Sequence, residues 1–195
     1  KEKFQRMQNA AQRMQVLIND LLSYSRTGIQ EAKFEKTDLS TIIEKVEDDL
    51  KEELEDKHLN IEINEICEVN IIPFQFRQLI YNIISNSIKF AKTDVPLAIK
   101  VTCKIAKGES FNFDRLLDNV NYCHIRISDN GIGFEQEFSN KIFEVFQRLH
   151  GRNEYSGTGI GLAIVKKIVD NHEGFIRATG NLNEGATFDI YIPVR

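Results

Sequence analysis

Ser128-Asp129-Asn130-Gly131-Ile132-Gly133-Phe134 is the stretch whose reading decides the fold. The residues leading into it, Tyr122-Cys123-His124-Ile125-Arg126-Ile127-Ser128, set Ile125 and Ile127 against polar neighbours. That alternation predicts a half-buried strand ending at Asp129. A carboxylate at a strand end can accept a hydrogen bond from the exocyclic amine of a planar ring, and Gly131 and Gly133 let the backbone turn and approach that ring with no Cβ in the way. Taken alone, Asp-Asn-Gly is also a common hairpin turn. A second glycine run separates the two readings.

That run is Gly157-Thr158-Gly159-Ile160-Gly161-Leu162-Ala163, followed by Ile164, Val165, Ile168 and Val169 at helical spacing. Unpaired N–H groups at the start of this helix would form an anion site, and the glycines let phosphate groups come close. A dinucleotide fold needs a strand just before such a run, whereas Leu149 to Ser156 is polar and loop-like. No GxxxxGK[ST] pattern occurs either.

A third element lies between Pro73 and Lys92. Pro73 suits a first helical turn, and Leu79, Ile80, Ile83, Ile84 and Ile88 mark the core face. Asn82 and Asn86 stand one turn apart on one side, with Lys89 following three residues later. Asparagine is a poor helix-interior residue, so this register points either to a solvated face or to amide oxygens on Mg²⁺ with an ammonium on phosphate.

The surrounding chain is read more coarsely. Asp38 can cap a helix running to about Lys57 with the stripe Leu39, Ile42, Ile43, Val46, Leu50 and Leu54. Strands are expected over Leu59–Ile63, Leu97–Ile105, Cys123–Ile127, Gly174–Ala178 and Thr187–Ile192. The run Lys107–Asn121 breaks the alternation and is expected to be an exposed hairpin excursion. The fold class is therefore α+β, a two-layer α/β sandwich with helices on one face of a single sheet. Near the N-terminus, Phe4, Met7, Ala11, Met14, Ile18 and Leu21, widened by Leu17 and Leu22, form an amphipathic stripe that needs a partner helix or a second subunit. Residues 1–28 are assigned to this helix and 29–195 to the globular domain.

The excess of 29 acidic over 25 basic residues, a net charge of −4, argues against nucleic-acid binding. No apolar run approaches a membrane span, so any membrane contact is expected from segments outside this chain. Cys67, Cys103 and Cys123 are odd in number, lack metal-binding spacing, and read as buried thiols in a reducing, cytoplasmic setting without a disulfide. Lys1 falls in mid-helix, as expected for a piece of a longer protein.

Taken in order, Asn82-x-x-x-Asn86-x-x-Lys89-Phe90, Asp129-x-Gly131-x-Gly133, Phe143-x-x-Phe146-x-Arg148 and Gly157-x-Gly159-x-Gly161-Leu162 resemble the N box, first glycine box, F box and second glycine box of sensor histidine kinases. Glu184-Gly185-Ala186-Thr187-Phe188 resembles the terminal glycine turn and strand of that family, and the wording around Arg148-Leu149-His150-Gly151-Arg152 is similar to the phytochrome-like and hybrid sensor subgroup. The resemblance implies the Bergerat ATP-binding fold, preceded by the second helix of a dimerisation hairpin. It further implies that Asp129 reads the adenine amine, with Gly131 and Gly133 bordering the base and Phe90 on the base or ribose side. Asn86 and Asn82 would hold Mg²⁺, and Lys89 would neutralise phosphate. Gly157, Thr158, Gly159, Gly161 and Leu162 would follow the phosphates. Residues from about 134 to 156 would form a mobile lid anchored by Phe143 and Phe146, with Arg148 reaching the γ-phosphate.

The phosphoacceptor segment of that family has no match in this chain. His58, His124, His150 and His172 lie at a helix end, in a strand, in the lid and at another helix end, and none is assigned as acceptor. The expected activity is transfer of the ATP γ-phosphoryl to a histidine outside the chain, for relay to an aspartate of a response regulator receiver domain, within a homodimer joined through the N-terminal helix. Two alternatives are an ATPase of the gyrase or mismatch-repair kind, and a dimeric nucleotide-binding scaffold without turnover. The hydrolysing relatives carry a glutamate where Asn82 stands, and a neutral amide is no general base.

Overall fold

The computed structural model describes residues 33–56, 59, 61–149 and 157–194, together with single positions of an N-terminal helix between Phe4 and Ser25. Its centre is a five-stranded sheet. The strands are β2 (Ile61–Asn64), β4 (Ile99–Lys107), β5 (Asn121–Asp129), β6 (Phe175–Asn181) and β7 (Gly185–Pro193), in the order β2-β4-β5-β7-β6. β2 and β4 run parallel, and every other pair is antiparallel. All five are the strands expected from alternation. Two more, β1 (Glu35–Asp38) and β3 (Glu68–Ile71), pair with each other in a separate ribbon that the alternation did not reveal.

Period-2 patterning assigns the faces. Cys123, Ile125 and Ile127 of β5 and Phe188, Ile190 and Ile192 of β7 point into the main core. Tyr122 and His124 of β5 and Asp189 and Tyr191 of β7 lie on the other face. Against the inner face pack α1 (Leu39–Asp49), α3 (Pro73–Lys89) and α4 (Gly161–Asn171), with a short α2 (Lys51–Asp56) after α1. The whole stripe Leu39, Ile42, Ile43, Val46, Leu50 and Leu54 is buried, but the helix is interrupted at Leu50. Asp38 caps α1 by accepting a hydrogen bond from the Ser40 amide at 2.9 Å. Each of the fully buried isoleucines of α3, such as Ile83 and Ile84, contributes about 1.5–3 kcal/mol by leaving water.

Three expectations need correction. The segment 108–120 does link β4 to β5, but it is not simply exposed. Leu116 is buried with Tyr122 and Tyr191, and Phe111 and Phe113 pack on them, so the segment covers part of the outer sheet face. The cysteines are not three isolated thiols either: Cys67 and Cys103 form a disulfide, and Cys123 lies beside them. The parallel pairing of β2 with β4 carries the bend after β2 over β4, where the Cys103 amide donates to the Glu65 carbonyl, a contact that the sequence separation of 36 conceals. Finally, Phe146 does not anchor the lid. It has φ +66 and is 61% exposed, whereas Ile142 is buried and Phe143 packs on the core.

The described N-terminal positions are helical, and Phe4, Met14, Ile18, Leu21 and Leu22 are between 49% and 73% exposed. Leu17 packs on the core. Met7 lies outside the described residues. No helix among the described residues is long and apolar enough to cross a membrane.

Candidate functional site

A cavity of about 330 Å³ opens between α3, the end of β5 and the start of α4. Its position follows from the three motifs. β5 delivers Asp129 to one wall, α3 presents Asn82, Asn86 and Lys89 from successive turns, and the loop before α4 brings Gly157, Thr158 and Gly159 to the mouth. Gly161 and Leu162, the first residues of α4, also line it, as do Phe90, Gly133 and Arg148. Of the residues expected at the site, Gly131 alone does not line the cavity. Its amide donates to Asp129 Oδ1 at 2.9 Å, so it holds the carboxylate where it was expected to border the base.

Asp129 is held on both oxygens. Oδ1 accepts from the amides of Gly131 and Ala186, at 2.9 and 3.2 Å, and Oδ2 accepts from the Ser87 hydroxyl at 2.9 Å. Gly185 stands directly behind it. With φ +118, a Cβ there would fall 1.9 Å from the Asp129 carbonyl oxygen, a position only glycine tolerates. Ser87 was not foreseen. Its only signal in the sequence is a small polar residue on the otherwise apolar face of α3. Phe134, Ile142, Ala186 and Phe188 supply apolar lining on the same side, making a slot for a flat ring with Asp129 fixed at its edge.

The other end is cationic. Lys89 is half-buried, with its ammonium 4.5 Å from the Phe90 ring centre, and among the described residues no carboxylate pairs with it. Burial first, and then the nearby Arg148 charge, hold the Lys89 ammonium below its ordinary 10.5. Two positive groups converging on one end of the cavity favour an anion there. At Gly157, φ +144, a Cβ would lie 2.5 Å from Lys89 Nζ, so the missing side chain leaves room for the ammonium. The N-cap position of α4, Ile160, supplies no side-chain cap, leaving the first N–H groups of the helix for whatever fills the cavity. The Phe146 amide donates to the Gly159 carbonyl at 2.9 Å, tying the segment after Phe143 to the glycine loop.

Asn82 provides a direct test of fit. Its Oδ1 accepts from Gln78 at 3.2 Å, while its Nδ2 is buried without a partner. A buried amide donor left unpaired is unfavourable by about 1–3 kcal/mol, and phosphate oxygens entering the cavity would satisfy it. Asn82 and Asn86 also offer neutral hard oxygen donors of the kind Mg²⁺ takes alongside phosphate and water. Asp129 is the only carboxylate among the described lining residues, and none of those residues is a histidine.

The histidines are accounted for structurally where described. His124 Nε2 lies 2.7 Å from Asp189, and His172 accepts from the Ile72 amide at 3.0 Å while its Nδ1 faces the Ile168 carbonyl. His58 and His150 lie outside the described residues.

The family described as histidine kinase-, DNA gyrase B-, and HSP90-like ATPases matches residues 72–195, and the chain belongs to it. It is 38% identical over 181 residues to the phytochrome-like protein Cph1 of Synechocystis sp., covering 93% of this chain and 22% of that protein. It thus spans about a fifth of that relative's length. The fold is shared with full-length ShkA in complex with AMPPNP, at TM-score 0.73 and 20% identity over 99% of this chain and 38% of that one. It is shared as well with histidine kinase ThkA in complex with response regulator protein TrrA, at TM-score 0.69 and 20% identity over 100% of this chain and 51% of that one.

Proposed function

We propose that this chain is the ATP-binding catalytic portion of a sensor histidine kinase, acting on a histidine that lies outside it. The observation that carries the reading is the division of one cavity into an apolar slot ended by Asp129 and a cationic end at Lys89 and Arg148 with an orphan amide at Asn82. Asp129 accepts from the adenine amine, kept in position by Ser87, Gly131 and Ala186. Asn86 and Asn82 would hold Mg²⁺ through their amide oxygens. Lys89, Arg148 and the first N–H groups of α4 receive the phosphates, with Gly157, Thr158 and Gly159 allowing the close approach. Bound Mg-ATP supplies an electrophilic γ-phosphoryl, which passes to an imidazole nitrogen as its bond to the β-phosphate oxygen breaks. The protein contributes alignment and charge neutralisation.

Hydrolysis is disfavoured by the same lining. Its single carboxylate among the described residues is engaged by two amides and a hydroxyl at the base end, and no other carboxylate or imidazole among the described lining residues is left to activate water. The exposed stripe Phe4, Met14, Ile18, Leu21 and Leu22 supports pairing with a second helix in a homodimer, and the complex of ThkA with its regulator supports a receiver domain as phosphoryl acceptor. The absence of a spanning helix among the described residues is compatible with a cytoplasmic position.

The test mixes the chain with Mg-ATP labelled on the γ-phosphate and a separate protein carrying the acceptor hairpin of a related kinase. Acid-labile, base-stable label on that hairpin is expected. Steady phosphate release that ignores the acceptor would contradict the proposal.

A further inference from the structure

Away from the cavity, the three cysteines of the chain converge. Cys67 and Cys103 are bonded, with Cα atoms 5.8 Å apart, and Cys123 Sγ stands 3.2 Å from Cys103 Sγ. All three sulfurs lie within 4.8 Å of one another. The topology explains the meeting. Glu65, at φ +51, bends the chain after β2, its carbonyl takes the Cys103 amide at 2.8 Å, and Cys67 is delivered onto β4. In the β4–β5 ladder Cys103 stands opposite Ile125 and Cys123 opposite Ile105, so Cys103 and Cys123 are diagonal neighbours on one face. Access differs among them: Cys67 is half-buried, Cys103 is 3% exposed and Cys123 fully buried.

We propose that Cys67, Cys103 and Cys123 form a reversible thiol oxidation site, with small peroxides as its reactant, Cys67 as the entry sulfur and Cys103 as the sulfur shared between two alternative disulfides. The Cα separation of Cys67 and Cys103 falls inside the range that a disulfide spans, so closing and opening the bond needs no rearrangement of the backbone. In the reduced chain the Cys67 sulfur attacks one peroxide oxygen. The O–O bond breaks, the thiol proton leaves with the departing hydroxide as water, and Cys67 becomes a sulfenic acid. Cys103 sulfur then displaces the hydroxyl from Cys67. The S–S bond forms, the S–O bond breaks, and the Cys103 proton leaves in a second water. Two thiols are oxidised, and one peroxide is reduced by two electrons.

Cys123 adds the alternative. After losing its proton to solvent, its sulfur attacks Cys103 and expels Cys67 as a thiolate, an exchange without net oxidation. Burial pushes the Cys123 thiol up to about 12, so the proton is held tightly and Cys67–Cys103 is the form that persists. A metal site fits the same sulfurs less well. A bonded pair leaves no room for an ion between its atoms, and the grouping contains no fourth His, Asp or Glu ligand among the described residues. The disulfide encloses all of α3, the helix that carries Asn82, Asn86 and Lys89.

The experiment takes the purified chain, reduces it, removes the reductant and adds one equivalent of hydrogen peroxide. Thiols are then counted in denaturant, and the linked peptides mapped by mass spectrometry. Titratable thiols should fall from three to one, the survivor should be Cys123, and the Cys67 and Cys103 peptides should be joined. The oxidised chain should melt about 10 °C above the reduced one, and dithiothreitol should reverse both changes. Cys67→Ser should slow the loss of thiols markedly, because the entry sulfur is gone, and place the bond that does form at Cys103–Cys123; Cys123→Ser should leave the Cys67–Cys103 bond in place, and Cys103→Ser should abolish it. The proposal is overturned if all three thiols persist, if Cys67 ends as sulfinic acid with no linked peptide, if the joined peptides come from two chains, or if the reduced chain retains stoichiometric zinc that shields all three sulfurs. The wild-type peptide map decides the matter even if a serine variant does not fold.

Discussion

Replacing Asp129 with asparagine exchanges one acceptor for a donor at the edge of the apolar slot and changes little else. Asparagine Oδ1 can still accept from the Gly131 and Ala186 amides, at 2.9 and 3.2 Å in the parent, and the Ser87 hydroxyl can turn to accept from the new Nδ2. What is lost is the charged acceptor for the adenine amine, which now meets another N–H donor. Hydrogen bonds to charged groups contribute about 1.5–3 kcal/mol, so ATP affinity should fall about 10- to 150-fold. The assay is titration with ATP and, separately, GTP, with the melting temperature recorded for each protein. Because the guanine O6 can accept from Nδ2, GTP should lose much less than ATP, and the preference between them should shrink or invert. Equal loss for both nucleotides, or an unchanged Kd for ATP in a folded variant, would refute the placement of the base at Asp129.

Ser87→Ala, which removes the hydroxyl holding Asp129 Oδ2, should weaken ATP by about 0.5–1.5 kcal/mol in titration calorimetry and leave the melting temperature within a few degrees. Lys89 must be charged to pair with phosphate, and its ammonium is held below the ordinary 10.5, so triphosphate affinity should be full near neutrality and decline as pH rises through that lowered value; Lys89→Gln should remove the decline while adenosine binding stays unchanged. Gly185→Ala forces a Cβ to within 1.9 Å of the Asp129 carbonyl oxygen at φ +118 and should destabilise the fold by about 3 kcal/mol or more, seen as a drop of roughly 10 °C on melting. Burial pushes the Asp189 carboxyl upward, but hydrogen bonds from His124 and Arg126 outweigh it and bring it to about 2. Its stabilisation, about 2 kcal/mol, is therefore complete above the ordinary 3.8 and lost as pH falls towards 2; acid denaturation of Asp189→Asn should lack that phase.

The parts that sequence made legible are those with local periodicity. Leu79, Ile80, Ile83, Ile84 and Ile88 recur at 3.6 spacing and all are buried, and Ile125 and Ile127 alternate into the same core. Asp129, Asn82, Asn86 and Lys89 could be named because each stands at a fixed offset from such a pattern. What escaped depends on contacts between distant segments. β1 and β3 are four residues each, mix charges with apolar groups, and exist through pairing Glu35 with Ile71. The cysteine grouping needs β2, β4 and β5 side by side. Phe146 turns outward through a left-handed backbone and a bond to Gly159, which no spacing rule encodes. Gly131 looked like a ligand neighbour because its role as a donor to Asp129 becomes visible only when the turn is built.

The most direct measurement is a crystal structure of the chain with Mg²⁺ and a non-hydrolysable ATP analogue. The adenine amine should lie within hydrogen-bonding distance of Asp129, the metal on the amide oxygens of Asn86 and Asn82, and the phosphates against Lys89, Arg148 and the first turn of α4. A nucleotide seated elsewhere, or a cavity filled by the chain's own side chains at saturating analogue, would contradict the account.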